Sequence, residues 1–273
     1  MTYTASSRAA AIRLAWRWKF GSRGNPHRLT KKLVVSLTSY PARYATLHLT
    51  LQSLLRQTMK ADHTILWVGK ADFAALPKKV LDLQSHGLEI RATDDKRSYT
   101  KIIPTLDSSP DAYICTADDD IYYFGTWLEE LVSGVEQDSH VVPCHRVHTI
   151  ALSGDGTYAP YDQWIFNIAR RGKDKAFFPT GVGGILYPPH ILAHTPEDRD
   201  VAYTLCPYAD DVWLYWIGRR NGAIYKTIGK RRELITWKGS QDQCLWQDNV
   251  GGGRNDEQIR KIAKKYGYPD ITS

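Results

Sequence analysis

The 273-residue sequence has no run of about 18 consecutive apolar residues, so no transmembrane helix is expected. It has only four cysteines, Cys115, Cys144, Cys206 and Cys244, far apart and without a CxxC pair, which argues against a zinc site. Several signatures of phosphate and hydrolytic chemistry are also missing. There is no GxxxxGK[ST], so no P-loop is expected, and no GxSxG or HExxH. No GxGxxG follows the first apolar run, and the GVGG at Gly181–Gly184 comes late in the chain. Neither a zinc-finger nor an RNA-recognition signature is present.

Apolar residues make up 42% and charged residues 24%, which suits a globular chain able to bury a sizeable core. The net charge of +7 and pI near 9.1 favour phosphate-bearing or polyanionic partners, or an anionic membrane surface. The bases do not select nucleic acid, because they are scattered in pairs such as Lys31-Lys32, Arg170-Arg171, Arg219-Arg220 and Arg231-Arg232. The N-terminal stretch is basic and aromatic, and Arg13, Arg17 and Lys19 interrupt any secretory h-region. As a helix it would place Ala9, Ile12, Trp16 and Phe20 on one face. Two readings follow: peripheral attachment to a membrane surface, or packing of an N-terminal arm on its own domain. Few cysteines and no export signal fit a cytoplasmic location, extending to the inner face of the cytoplasmic membrane.

Apolar strands alternate with helical patterns along the first half. LVVSLTSY (Leu33–Tyr40), HTILWVG, LEIRAT and AYICTA read as strands. Between them, the segment after Pro41 carries Leu47, Leu51, Leu54 and Leu55 at helical spacing, and AALPKKVLDLQSHG reads as a helix stopped by Gly87. SYTKIIPTLDSSP is a short helix or turn, and TWLEELVSGVEQD another helix. Beyond about residue 140, VVPCHRVHTIAL is expected as a strand and FFPTGVGGILYPP as a Gly-rich turn entering a strand. CPYADDVWLYWIGRRNG is expected as a helix ended by Gly222, and AIYKTIG as a strand. NDEQIRKIAKKYG is expected as a helix with Asn255 as N-cap. The alternation predicts an α/β fold with a mostly parallel, Rossmann-like central sheet flanked by helices. In such sheets ligands sit beyond the carboxyl ends of the strands, where this chain places Thr38-Ser39, Asp94-Asp95 and Asp118–Asp120.

Three adjacent carboxylates repel one another unless something relieves the charge. On a strand-end loop they suit a hard divalent cation such as magnesium or manganese, which takes oxygen ligands and commonly holds phosphates on its other side. The plain structural alternative is a solvated acidic turn. A second acidic pair, Asp210-Asp211, opens the helical segment rich in Tyr208, Trp213, Tyr215 and Trp216. Those carboxylates either favour the helix dipole or act as a general base with a raised pKa beside an aromatic wall. At helical spacing most of Trp213–Trp216 is expected to be core.

VVSLTSYPARYATLHLTLQSLLRQT, TADDDIYY with Trp127 after it, GVGGILYPP and CPYADDVWLYW together resemble bacterial glycosyltransferases of the GT-A fold and family-2 type, which act in surface polysaccharide assembly (capsule or lipopolysaccharide). The resemblance runs from about Leu33 to about Gly229, and it rests on the order and spacing of motifs that are each loose. It implies a nucleotide-sugar-binding half over about residues 31–140 and a fused acceptor-binding, catalytic-base half over about 141–273, in one domain behind an arm at 1–30. Asp118 and Asp120 match the outer positions of a DxD motif that binds Mn2+ or Mg2+, with Asp119 between them. By the same resemblance Thr38, Ser39, Tyr40 and Arg43 contact the nucleotide sugar, as do Asp94 or Asp95, Lys101, Asp118, Asp119, Gly183 and Arg254. Trp164, Gly181 and Trp213 line the acceptor site, and Asp211 is the catalytic base with Asp210 as its neighbour.

The implied activity moves a sugar from a nucleotide-diphosphate sugar, by default a UDP-sugar, to a glycan or lipid-linked glycan acceptor. The implied chemistry is single displacement with inversion. Retention on the same fold and a non-catalytic carbohydrate-binding role stay open as alternatives. One departure is plain: many relatives supply a C-terminal histidine to the metal, whereas the last histidine here is His194. Asn255, Asp256 or water would have to take its place.

Overall fold

The computed structural model describes residues 2–21, 24–138, 140–229, 231–240 and 253–272. The chain enters through α1 (Thr2–Phe20) and a two-residue strand, β1 (Asn25–Pro26), that pairs with β3 (Met59–Lys60). The apolar runs then form β2 (Leu33–Ser39), β4 (His63–Gly69), β5 (Leu88–Thr93) and β6 (Tyr113–Thr116). β2 and β4 are buried almost throughout, as continuous Val/Leu/Ile runs in parallel sheets usually are. All four pair in parallel, in the spatial order β5-β4-β2-β6. In order of appearance that is third, second, first, fourth, so the strand order reverses between β2 and β6, where a doubly wound sheet opens a crevice.

The second half extends the same sheet. β7 (Val141–Cys144) and β8 (Val147–Thr149) come from the run expected as one strand; the chain breaks at His145-Arg146, and the two pieces join different sheets. β9 (Gly172–Asp174), β10 (Phe177–Pro179), β11 (Ile185–Tyr187) and β12 (Ile224–Thr227) follow, with β10 pairing β8 in a separate ribbon. The main sheet runs without interruption as β5-β4-β2-β6-β11-β7-β12-β9. β11 is antiparallel to both β6 and β7, with Ile185 opposite Thr116. The turn that precedes β11 therefore lies at the same sheet end as the loop that follows β6.

Helices cover the sheet. α2 (Tyr44–Leu55) buries Leu47, Leu51 and Leu54 as their spacing requires. The helix expected over AALPKKVLDLQSHG is fragmented into a 3-10 turn at Phe73–Ala75, a single turn α3 (Lys78–Leu81) and a 3-10 segment Asp82–His86. Pro77 is the cause, because it holds Leu76 extended (ψ 128°). Gly87 ends the segment at φ +100° as expected. A 3-10 turn at Arg97–Lys101 leads into α4 (Ile103–Ser108), and α5 (Trp127–Ser133) ends before Gly134. α6 (Pro196–Leu205) carries a capping box between Thr195 and Asp198. α7 (Asp210–Arg220) is buried over most of its length, and α8 (Arg254–Tyr266) packs against it. Asn255 is not the N-cap of α8; Gly253, at φ +68°, holds that position and Asn255 is buried inside the first turn.

Cys115, Cys144 and Cys206 are buried free thiols, while Cys244 lies outside the described residues. Among the described residues no helix is long and apolar enough to cross a membrane.

Gly184, at the start of β11, has φ +101°, and a Cβ there would come within 2.5 Å of the Trp127 ring. Trp127 in turn donates its Nε1–H to the Gly183 carbonyl at 2.8 Å. Gly184→Ala meets both a backbone penalty and an overpacked indole. It is expected to cost about 1–3 kcal/mol, seen as a lower urea midpoint at unchanged slope.

Candidate active site

The polar cluster begins at the crevice between β2 and β6. Ser39, the last residue of β2, donates its hydroxyl to Asp119 Oδ2 at 2.6 Å, spanning the two strand ends. Arg43, in the turn opened by Pro41, forms an ion pair with Asp120 Oδ2 at 3.0 Å, and both groups are largely buried. Tyr123 holds the acidic loop in shape, because its hydroxyl accepts the Asp118 amide hydrogen at 2.8 Å.

Lys101 links this loop to the other half of the protein. Its ammonium donates to Asp118 Oδ1 at 2.9 Å and pairs with Asp210 Oδ2 at 3.0 Å, with 7% of the side chain exposed. The Lys101 backbone is fixed from below: its carbonyl accepts from the Ser36 hydroxyl at 2.6 Å, and Ser36 also bonds Thr105 at 2.7 Å. Burial alone would lower the Lys101 pKa, but Asp118, Asp210 and Asp211 outweigh it and raise the pKa well above the usual lysine value. Lys101 therefore stays charged.

Asp210 and Asp211 open α7, yet neither caps it, since Ala209 holds the N-cap position without a side-chain bond. Asp211 Oδ1 instead accepts the Gly181 amide hydrogen across the site at 2.9 Å. A Cβ on Gly181 would lie 3.0 Å from that oxygen and 3.4 Å from Lys101 Nζ, so glycine allows the three groups to approach. Burial raises the Asp211 pKa and the negative charge of Asp210 adds to the rise, with Lys101 opposing.

Asp119 is the second carboxyl with a raised pKa, pushed from its ordinary 3.8 to about 7 by burial. Asp120 and Asp118 add to the shift, while the Ser39 hydrogen bond and Arg43 oppose it. Three carboxylates with this surplus of negative charge offer oxygen donors of the kind a hard divalent cation prefers. Asp118 already faces Lys101 and Asp120 already faces Arg43. No group of three or more His, Cys, Asp or Glu is placed to hold a metal by itself among the described residues. A cation here would share Asp118 with Lys101 and Asp120 with Arg43 and would need its remaining ligands from a bound phosphate or water.

Other expected residues sit elsewhere. Thr38 donates to the Trp67 carbonyl at 3.0 Å, and Tyr40 is exposed at the mouth of the crevice, with Arg43 near its ring. Asp94, beyond the edge strand β5, pairs with Lys70 on the surface. Asp95 accepts from the Arg97 amide at 2.7 Å and so shapes its own turn. Gly183 packs against Arg146 and receives the Trp127 hydrogen bond. Arg254 and Arg97 both lie over the Tyr208 ring, two residues before Asp210. Asp256, a candidate for the missing metal ligand, accepts the Tyr161 amide hydrogen at 2.7 Å, and Asn255 is buried.

Trp164 and Trp213 need correction. Both are core residues, 4% and 0% exposed, with indole N–H groups bonded to the carbonyls of Ala159 and Asp198. Neither presents a face to an acceptor, because buried aromatic packing takes up the whole ring. The same region holds further residues outside the expected site set. Arg146 donates to Thr180 at 2.6 Å, and with Tyr122, Phe124, Trp127, His145 and Val182 it borders a narrow pocket beside the Gly-rich turn. Ser36 and Tyr123 were legible only as strand and aromatic residues; the one available signal was a hydroxyl in an otherwise apolar run.

No known protein-family model matches this sequence, and no curated protein shows significant similarity to it. What stands is an α/β chain with a mixed, mostly parallel central sheet and a buried charge cluster at the carboxyl ends of its strands.

The folded state holds the Asp119 proton more tightly than the unfolded chain does. Its contribution to stability is therefore complete below about pH 4 and is lost as the pH rises through about 7. Asp119→Asn removes that loss. The melting temperature of the variant relative to the unaltered protein is expected to rise between about pH 5 and pH 8, and thermal melts across that interval test it.

Proposed function

We propose that this protein is a GT-A-type glycosyltransferase that moves a sugar from a nucleotide-diphosphate sugar to a hydroxyl of a glycan or lipid-linked glycan, with inversion. What supports the reading most is the single ammonium of Lys101, which joins Asp118 of one acidic cluster to Asp210 of the other. Residues 92 apart in sequence meet at one point, beyond the carboxyl ends of the sheet strands, where this class of sheet binds nucleotides. A protein that merely binds carbohydrate has no need to bury carboxylates around an ammonium at that place.

In this reading the nucleotide enters the crevice between β2 and β6, beside Ser39, Tyr40 and Arg43. Asp211, held by the Gly181 amide through Oδ1, takes the proton from the acceptor hydroxyl on its other oxygen. The acceptor oxygen forms a bond to the anomeric carbon as the bond to the diphosphate oxygen breaks, and the nucleotide diphosphate leaves with the electron pair. Lys101 supplies fixed positive charge next to the departing oxygens, and Arg254 and Arg97 add to it from Tyr208. A divalent cation held by Asp118 and Asp120 would supply further charge stabilisation to the leaving diphosphate. The raised Asp211 pKa suits a general base, since an ordinary carboxylate is too weak to draw a proton near neutral pH.

Asp211→Asn is expected to lower sugar transfer by about 10²–10⁴-fold while nucleotide-diphosphate affinity stays close to that of the unaltered protein. Product formation from UDP-, GDP- and dTDP-sugars, alongside calorimetric nucleotide binding, checks both halves. Transfer by the Asn variant at the unaltered rate would remove Asp211 from the reaction. Failure of every nucleotide to bind, with or without manganese, would remove the function itself. With the active protein, the acid limb of the pH–rate profile is expected above the ordinary carboxylate value of about 4, in the direction of the Asp211 shift.

A further inference from the structure

α1 buries one face and leaves the other uncovered. Ala10 and Leu14 are fully buried against Trp237. Arg17 donates to the carbonyls of Ser53 and Tyr123, each at 3.0 Å, and Trp18 packs between His86 and the Arg56 guanidinium. These contacts fix the rotation of the helix. Ile12, Trp16 and Phe20, four residues apart, then form a stripe on the opposite side, exposed by 72%, 66% and 63%. The rings of Trp16 and Phe20 touch, with centroids 5.9 Å apart, and Lys19 reaches over Phe20. Exposed Arg8 and Lys19 border the stripe on one side and exposed Arg13 on the other.

The N-terminal stretch carries charge of one sign. The first 61 residues hold eleven lysines and arginines and no aspartate or glutamate. Beyond residue 61 the acids outnumber the bases, 29 to 25, so the whole net charge of +7 arises in the N-terminal stretch.

We propose that the Ile12–Trp16–Phe20 face of α1 docks on an anionic phospholipid surface, with the helix lying in the plane of the interface. Tryptophan and phenylalanine insert at the level of the acyl boundary, and flanking arginine and lysine heads reach lipid phosphates from both sides. A second copy of this chain is disfavoured as the occupant, because apposing two such faces would bring cationic rows together. A protein groove would need acidic rows along both walls, whereas a lipid surface offers negative charge in every direction. The helix cannot cross the bilayer, so it rests on the surface. The inference is independent of any catalytic role for the acidic cluster.

The test is co-sedimentation of the full chain with vesicles of phosphatidylcholine alone and with about one-third phosphatidylglycerol. Binding is expected only with the anionic lipid, weakening as salt shortens the screening length. The triple variant Ile12→Ser, Trp16→Ser, Phe20→Ser is expected to lose at least about tenfold in partitioning. The triple variant Arg8→Gln, Arg13→Gln, Lys19→Gln is expected to lose a similar factor while keeping the apolar stripe. All six side chains are exposed, so both variants fold, as circular dichroism will show. Absence of binding to anionic vesicles, equal binding to neutral ones, or unchanged binding by the first variant overturns the proposal. So does a dimer in sedimentation velocity that the first variant dissolves, which would assign the face to a second copy.

Discussion

The arrangement depends on one buried ammonium. Lys101 lies between Asp118 and Asp210, 2.9 and 3.0 Å from them, with 7% of its side chain exposed. Desolvating a charge costs several kcal/mol unless a partner and hydrogen bonds offset it. The Lys101 carbonyl is held by the Ser36 hydroxyl, which also bonds Thr105, so β2 and α4 together fix the backbone that carries the cation. The first residue of α7 carries one of the two carboxylates, so the same ammonium joins that helix to the acidic loop after β6.

The negative charge is managed in the same way throughout the cluster. Asp120 has Arg43, Asp118 has Lys101, and Asp119 has the Ser39 hydroxyl but little positive charge of its own. Burial raises the proton affinity of Asp119, and Asp120 and Asp118 add to the rise against the Ser39 hydrogen bond and Arg43. Asp211 receives a backbone amide, and the absence of a Cβ on Gly181 leaves room for that close approach. In both Asp119 and Asp211 burial outweighs the hydrogen bond and the nearby cation that oppose it.

Much of this is legible in the sequence. The strands Leu33–Ser39, His63–Gly69 and Leu88–Thr93 lie where their apolar runs predict, and the acidic triplet does follow a buried strand. Strand ends mark Ser39 and Asp118–Asp120, and the resemblance adds Arg43, Lys101, Gly181 and Asp210-Asp211, whereas Asp94 and Asp95, marked in the same way, bond elsewhere. Trp164 and Trp213 misled because an aromatic residue near an acidic motif looks the same whether its ring faces a cavity or a neighbouring ring. The helix broken at Pro77 and the strand divided at His145-Arg146 misled because their apolar spacing is continuous across the break.

The sequence by itself determined the local elements and the chemistry at their ends: runs of β-branched and aliphatic residues must be buried as strands, and helical spacing must be buried on one face. It also determined that carboxylates and basic residues would stand at one end of the sheet, since the loops follow the strands. Tertiary structure alone decided which of them meet. The antiparallel insertion of β11 carries Gly181 to the acidic loop, and the packing of α7 carries Asp210 to Lys101. It likewise decided which face of α1 is covered, turning Ala10 and Leu14 inward where the spacing of Ile12, Trp16 and Phe20 marked an equally apolar face. Such choices rest on contacts between residues tens of positions apart. Their energies depend on the shape of the whole core, and no local pattern contains that shape.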